Sequence, residues 1–176
     1  MVPDIIGTIF AKKKDFYSRH NSGVGTVMIW ATFSSKGKSK LAYISLCSTA
    51  EDYKAVLSSY LKPSLRRIGG KKAAFMHDNE PIQKAGTTKT WFQSSEISVL
   101  DWCPYSPNLN PIENVWGTHA RKVYAEENQF NSVMQLKAAI QKRWNEISNK
   151  YLNTLIDSMP KRIWDVIFAH RGLTKY

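Results

Sequence analysis

From Gly25 the chain reads GTVMIWATFSSKGKSKLAYISLC, two apolar, β-branched and aromatic runs separated by a Gly/Ser/Lys turn. No other feature constrains the fold as much, because such runs around a short polar turn specify an antiparallel hairpin. Strands are expected near 26–34 and 40–47. Helix and strand signals then alternate. Thr49 and Asp52 form a capping pair, and Tyr53, Val56, Leu57, Tyr60 and Leu61 recur at helical spacing up to Pro63, which predicts a helix over about 50–61. KAAFMHD, bounded upstream by Gly69 and Gly70, reads as a short buried strand ending on Asp78. A helix over 84–95 holds Trp91 and Phe92, and EISVLDW at 96–102 reads as a further strand.

Past a Pro/Ser/Asn loop, Asn110 fits an N-cap, Pro111 the first helical position and Glu113 the third, with Val115, Trp116, Ala120 and Val123 forming an apolar stripe. Ser132 and Gln135 make a capping box ahead of Val133, Leu136, Ile140, Trp144 and Ile147. A last apolar series runs from Leu152 to Ile167, where Pro160 should break or kink the helix and Gly172 can end it. Strands come first, alternate with helices and give way to helices, so the class is α/β with a helical C-terminal tail.

The 176 residues suffice for one substantial core, and no apolar run is long enough to span a bilayer. In MVPDIIGTIFAKKK the charge follows the apolar stretch, the reverse of a secretory signal, so a soluble intracellular protein is expected. Cys47 and Cys103 are too few for a disulfide framework. The excess of 25 Lys and Arg over 14 Asp and Glu favours a polyanionic partner, nucleic acid or an acidic membrane surface. Lys36, Lys38 and Lys40 at the hairpin turn, and Arg121 with Lys122, are candidate phosphate contacts, with solvated surface as the alternative.

Two acids stand out by position. Asp78 closes a strand and Glu113 opens a helix, with 34 residues between them. A strand end and a helix start both fix a side chain while leaving its oxygens accessible, a workable way to hold a divalent metal, and a helix N-terminus favours negative charge. Each residue also has an ordinary explanation: Asn110 and Glu113 spell an N-cap arrangement, and Asp78 followed by Asn79 and Pro81 spells a turn.

HDNEPIQ at 77–83 resembles the second-aspartate motif of the Tc/mariner transposases, and VLDWCPYSPNLNPIENVWG at 99–117 resembles their third-acid motif, with the family's interval between the acids. GTVMIWATFS resembles the family's strand around Trp30, and LIDSMPKRIWDVIFAHRGLTKY the closing helices of the Tc branch, so the likeness covers about residues 16–176. It implies a ribonuclease-H-like fold, a mixed sheet flanked by helices, whose three acids hold two Mg²⁺ or Mn²⁺ ions. In such a site one ion activates a water or 3′-hydroxyl and the other stabilises the leaving oxygen, so that DNA strands are cut and rejoined. By this resemblance Asp78 matches the second acid and Glu113 the third, both as metal ligands. Asn79 and Asn114 beside them can orient carboxylates or DNA, or serve turns and caps.

The resemblance also sets what is expected to be missing. The family's first acid lies on its opening strand, farther upstream of the second acid than the 77 residues that precede Asp78. The sheet is therefore expected to lack that strand, with 1–20 an irregular segment ahead of an incomplete catalytic domain over 21–176. Asp4 and Asp15 are the only N-terminal acids able to substitute, and both read as surface residues. Unless DIIGTIFA fills the vacant slot, the neighbouring strand would carry unpaired backbone groups. Gln83 and Asn108 depart from the family's usual His and Asp, and the family's helix-turn-helix module has no counterpart, so sequence-specific DNA binding is not expected from these residues. Two ligands out of three predict an inactive chain. The alternative to a transposase catalytic domain is a decayed remnant that only binds DNA through its phosphate backbone or dimerises. Nuclear location follows from the substrate. His77 should point away from its neighbour Asp78, His119 reads as packed, and Trp91, Trp116, Trp144 and Trp164 read as core.

Overall fold

The long apolar run does what its alternation dictates: β2 (Thr26–Ser34) is a nine-residue strand. The structure is a computed structural model that describes residues 8–17, 25–45, 49–69, 73–77, 86–100, 109–125 and 130–168, the side chains of 8–13, 17, 69 and 77 excepted. After a two-residue turn the chain returns as β3 (Gly37–Lys38) and β4 (Ala42–Ile44), both antiparallel to β2. The second strand of the hairpin is thus two short pieces. Gly37, at a φ of +135°, adopts a conformation that a side chain would disfavour.

The N-terminal segment corrects the sequence reading. Residues Thr8–Tyr17 are not irregular but form β1, a ten-residue strand at the centre of the sheet. It runs antiparallel to β2, from Phe10↔Phe33 to Tyr17↔Thr26, and parallel to β5 (Ala74–His77), from Thr8↔Ala74 to Ala11↔His77. The slot expected to be empty is filled, by residues that include part of DIIGTIFA. Lys12, Lys13 and Lys14 make this stretch read as a charge run, yet the backbone groups of β2 and β5 between which it lies require partners, and that demand outweighs side-chain propensity. The strand order is β3-β2-β1-β5, with β4 also on β2. Beyond β5, the segment expected as a full strand contributes one parallel bridge, Val99 to Phe75, with Leu100 N–H donating to Phe75 O at 2.8 Å.

Helices cover both faces. On one side Val27, Ile29, Ala31 and Phe33 of β2, Phe16 of β1 and Met76 of β5 pack against α4 (Ile112–Val123), α5 (Val133–Asn145), α6 (Asn149–Asp157) and α7 (Met159–Phe168), through Trp116, Leu136, Ile140, Trp144, Leu152 and Met159. On the other, Trp30 and Phe75 meet Tyr53, Leu57, Leu61, Ile68 and Phe92. Phe92 belongs to α3 (Gly86–Ser94), inside the span expected for a helix. Tyr53 opens a longer helical run than expected. The capping box at Thr49 and Asp52 forms as read, and α1 (Ala50–Val56) follows, but the helix does not stop at Pro63. It passes through a π-helical turn (Leu57–Leu61), a short α2 (Lys62–Ser64) and a second π-helical turn (Leu65–Gly69). The wide turn before Pro63 lets the helix restart with the ring in a first-turn position, where its missing N–H costs nothing.

The C-terminal tail divides at Ser158, two residues before Pro160, as predicted. Trp164 corrects another expectation: it is 51% exposed and stacks on Phe168 at 5.2 Å, because it lies off the stripe of α7 that buries Met159 and Arg162.

Candidate functional site

Glu113 stands in the first turn of α4, as the sequence requires. The turn is held from below by Asn110, itself buried. Its Oδ1 accepts the Ile112 N–H at 3.4 Å, and its carbonyl accepts the Glu113 N–H at 3.1 Å. The N-cap is Pro111 and not Asn110 as expected, since regular helix begins at Ile112, one residue later than the motif suggests; Asn110 supports the turn from the residue before the cap. Glu113 is half-buried on the helix that packs over the β1 face bearing Phe16, with α4 reaching β1 through the Phe16–His119 ring contact at 5.1 Å.

The turn is also held from above, by a residue that the sequence did not single out. Arg162 of α7 is buried, and its Nη1 donates to Asn114 Oδ1 at 2.6 Å while its Nε donates to Ser158 Oγ at 2.9 Å. Tyr151 of α6 donates its hydroxyl to the Asn114 carbonyl at 3.1 Å. Asn114 thus ties the Glu113 turn to the C-terminal helices; its amide oxygen is engaged by Arg162. One signal was available: Arg162 falls three residues after Met159 and six after Ile156, on the apolar stripe.

Asp78 lies outside the described residues, as do Asn79, Gln83, Asn108 and Asp4. What is described is its approach: β5 runs parallel to the central strand and ends on His77, paired with Ala11. Along β5, Met76 is buried in the cluster shared with α4, and Phe75 in the opposite one. On β1 the positions in phase with Phe16 are Thr8, Phe10, Lys12 and Lys14, none of them acidic. Asp15 is out of phase with Phe16 and pairs with Met28 in the strand that carries Trp30 to the other face. Its Oδ1 is buried without a hydrogen-bond partner among the described residues. Asp15 is therefore a strand residue, not a surface residue, and it does not share the face of Glu113. No group of three or more His, Cys, Asp or Glu able to hold a metal occurs among the described residues.

His119, on the buried side of α4, is fully enclosed by Phe16, Trp116 and Trp144. Its Nε2 lies 2.8 Å from the Ile140 carbonyl, and its Nδ1 has no partner among the described residues. Burial lowers its pKa from 6.5 to about 4; the hydrogen bond to Ile140 opposes the shift, while the charges of Lys38 and Lys122 add to it. It is a packing residue, as read.

The basic candidates separate. Lys36, Lys38 and Lys40 line a groove of about 710 Å³ together with Arg67, which the sequence did not single out. Lys38 is half-buried, and its Nζ donates to the carbonyls of Asn145 (3.1 Å) and Ile147 at the end of α5. Burial lowers its pKa, and the charge of Lys122 lowers it further. Arg121 is exposed and donates to Thr118 Oγ1 at 3.1 Å, one turn back on α4.

Among known proteins, residues 11–137 match the model of the DDE superfamily endonucleases. The chain is 37% identical over 156 residues to the Tc3 transposase of Caenorhabditis elegans, covering 89% of this chain and 47% of that protein. It is 33% identical to the Tcb2 transposase of Caenorhabditis briggsae, covering 88% and 56%. The chain thus spans about half the length of the curated relatives it matches. In structure it resembles the catalytic domain of the Mos1 mariner transposase, with a TM-score of 0.84 over 98% of this chain and 86% of that one at 17% identity, a likeness of fold. That domain has also been solved with Mn and with Mg, and Mos1 transposase in a paired-end complex with a transposon end.

Proposed function

Because the chain belongs to the DDE superfamily of endonucleases, as a domain of the Tc/mariner transposase type, we propose that Asp78 and Glu113 are its retained metal-binding acids and that DNA is its substrate. The observation that carries this reading is the placement of Glu113, in a doubly anchored first turn of the helix that packs on the same sheet face as Met76, two residues before Asp78 in the sequence. Two hard oxygen donors suit Mg²⁺ or Mn²⁺. When bound, such ions supply an activated water or 3′-hydroxyl and neutralise charge on the leaving oxygen. The protein's part is to hold the carboxylates: Asn110 and Arg162 fix the turn bearing Glu113, and the β1–β5 ladder fixes the strand that precedes Asp78.

The reading includes a deficit. The family's first acid belongs on the strand that β1 represents, on the face of Phe16, and the in-phase positions offer only Thr, Phe and Lys. A site with two carboxylates in place of three binds divalent ions weakly and misplaces one of the pair, so the chain does not cut DNA. Nuclear residence, and pairing of two copies on DNA ends, follow from the same reading.

The test combines metal binding with plasmid nicking. Mn²⁺ binding followed by electron paramagnetic resonance should fall at least tenfold in Asp78→Ala and in Glu113→Ala, and the unaltered chain should leave supercoiled plasmid intact. Lys12→Asp places an acid one residue past the Ala11↔His77 pair and should tighten Mn²⁺ binding. Mn²⁺ affinity indifferent to both alanine substitutions refutes the acid pair; metal-dependent nicking by the unaltered chain refutes the deficit.

A further inference from the structure

The groove at the hairpin is composed of parts distant in sequence: Lys36 and Lys40 from the β2–β3 turn and after it, Arg67 from the π-helical turn, and Asn149 from the start of α6, over a floor that includes Trp144. Four of its lining residues are cationic and none is acidic, in a chain that has 14 acids to place. Three sets of hydrogen bonds tie its parts together. Lys38 Nζ is committed to the carbonyls at the end of α5, and Arg67 Nη2 donates to the Lys38 carbonyl, which clips the hairpin to the helix. Trp144 Nε1 donates to the Ser39 carbonyl at 3.0 Å, so the floor is tied to the same hairpin. Lys38 therefore contributes field and rigidity, while Lys36, Lys40 and Arg67 are exposed.

Like charges gathered on a rigid frame without a neutralising carboxylate repel one another, and an anion that bridges them removes that cost. Lys122 adds to the field, since its charge acts on Lys38. A volume of about 710 Å³ exceeds what a single phosphate fills and suits a short length of backbone. We propose that this groove is a second DNA contact, gripping the sugar–phosphate backbone of duplex DNA through Lys36, Lys40 and Arg67. It is separate from the strand that leads to Asp78: β3 lies three strand positions from β5, or roughly 14 Å at the usual interstrand spacing. It requires no metal, so its test stands whether or not the acid pair holds an ion.

The experiment is fluorescence anisotropy of a labelled duplex in EDTA, with the observed association constant followed between about 50 and 200 mM salt. Removing three phosphate contacts in Lys36→Gln/Lys40→Gln/Arg67→Gln should make the slope of log K against log salt shallower by about 2 to 3 units, at roughly 0.9 per contact. A control at exposed positions away from the groove, Lys89→Gln/Lys161→Gln, charge-matched to Lys36→Gln/Lys40→Gln, should change it by less than about half a unit. Because Arg67 also clips the hairpin, Lys36→Gln/Lys40→Gln is measured beside the triple variant and should lose about 1 to 2 units even if the triple variant fails to fold. An unchanged slope in the double variant, or equal losses in the groove and control double variants, overturns the proposal.

Discussion

His119 makes stability depend on pH in a calculable way. The neutral ring fits its enclosure: Nε2–H donates to the Ile140 carbonyl, and Nδ1 keeps a lone pair against apolar surroundings. Protonation would place a charge and an unpartnered N–H there. The folded pKa of about 4 lies below the ordinary value of 6.5, so the unfolded chain binds the proton more tightly. Stability from this residue is therefore complete above about pH 7 and is lost as pH falls through 6.5 toward 4. With those two values the loss between pH 7 and pH 5 is about 2 kcal/mol. Carboxylates also titrate at low pH, so the assay is a difference. Urea unfolding is measured for the unaltered chain and for His119→Phe, which keeps an aromatic ring in the cluster but cannot titrate. Whatever the variant costs at pH 7, the gap between the two should shift in its favour by about 2 kcal/mol at pH 5. A gap constant within about 0.5 kcal/mol would show that His119 is not held neutral by its surroundings.

Two further substitutions probe the frame of the site. Arg162→Met removes the guanidinium contacts to Asn114 and Ser158 and leaves Asn114 Oδ1 without that donor, so it should cost about 2–3 kcal/mol in urea unfolding, with Arg162→Lys recovering only part; a loss under about 0.5 kcal/mol would mean the contact does not hold the Glu113 turn. Thr49→Ala deletes one half of the capping box ahead of α1 and should lower stability by about 1 kcal/mol by the same measurement, an unchanged midpoint counting against the cap.

The features legible in sequence were those whose signal is local. The hairpin, the Thr49 and Ser132 caps, the break before Pro160 and the first-turn position of Glu113 each depend on residues within a few positions of one another, and each appears in the structure. Local signals misled where tertiary context decides. Three consecutive lysines hid β1, because a central strand is recognised by the two neighbours that supply its hydrogen bonds, 66 residues away in the case of Thr8 and Ala74. Pro63 suggested a stop, but the burial of Leu61 and Ile68 on the same side of the sheet rewards continuation enough to absorb a widened turn. Trp164 read as core from its spacing, which cannot show which stripe of a short helix meets the rest of the protein. Arg162 was not legible because charge identity carries no information about burial, and only the fold distinguishes a guanidinium inserted between helices from one in water.

The position of β1 also bears on how the chain is made. During synthesis β2 emerges soon after β1 and can pair with it at once, but the parallel partner does not exist until residue 77 has left the ribosome. In the interval a row of amide and carbonyl groups on a lysine-bearing strand faces water, where charge guards it against pairing with other nascent chains. Joining segments so far apart also carries a large loop-closure cost, so maturation of the sheet waits on that meeting.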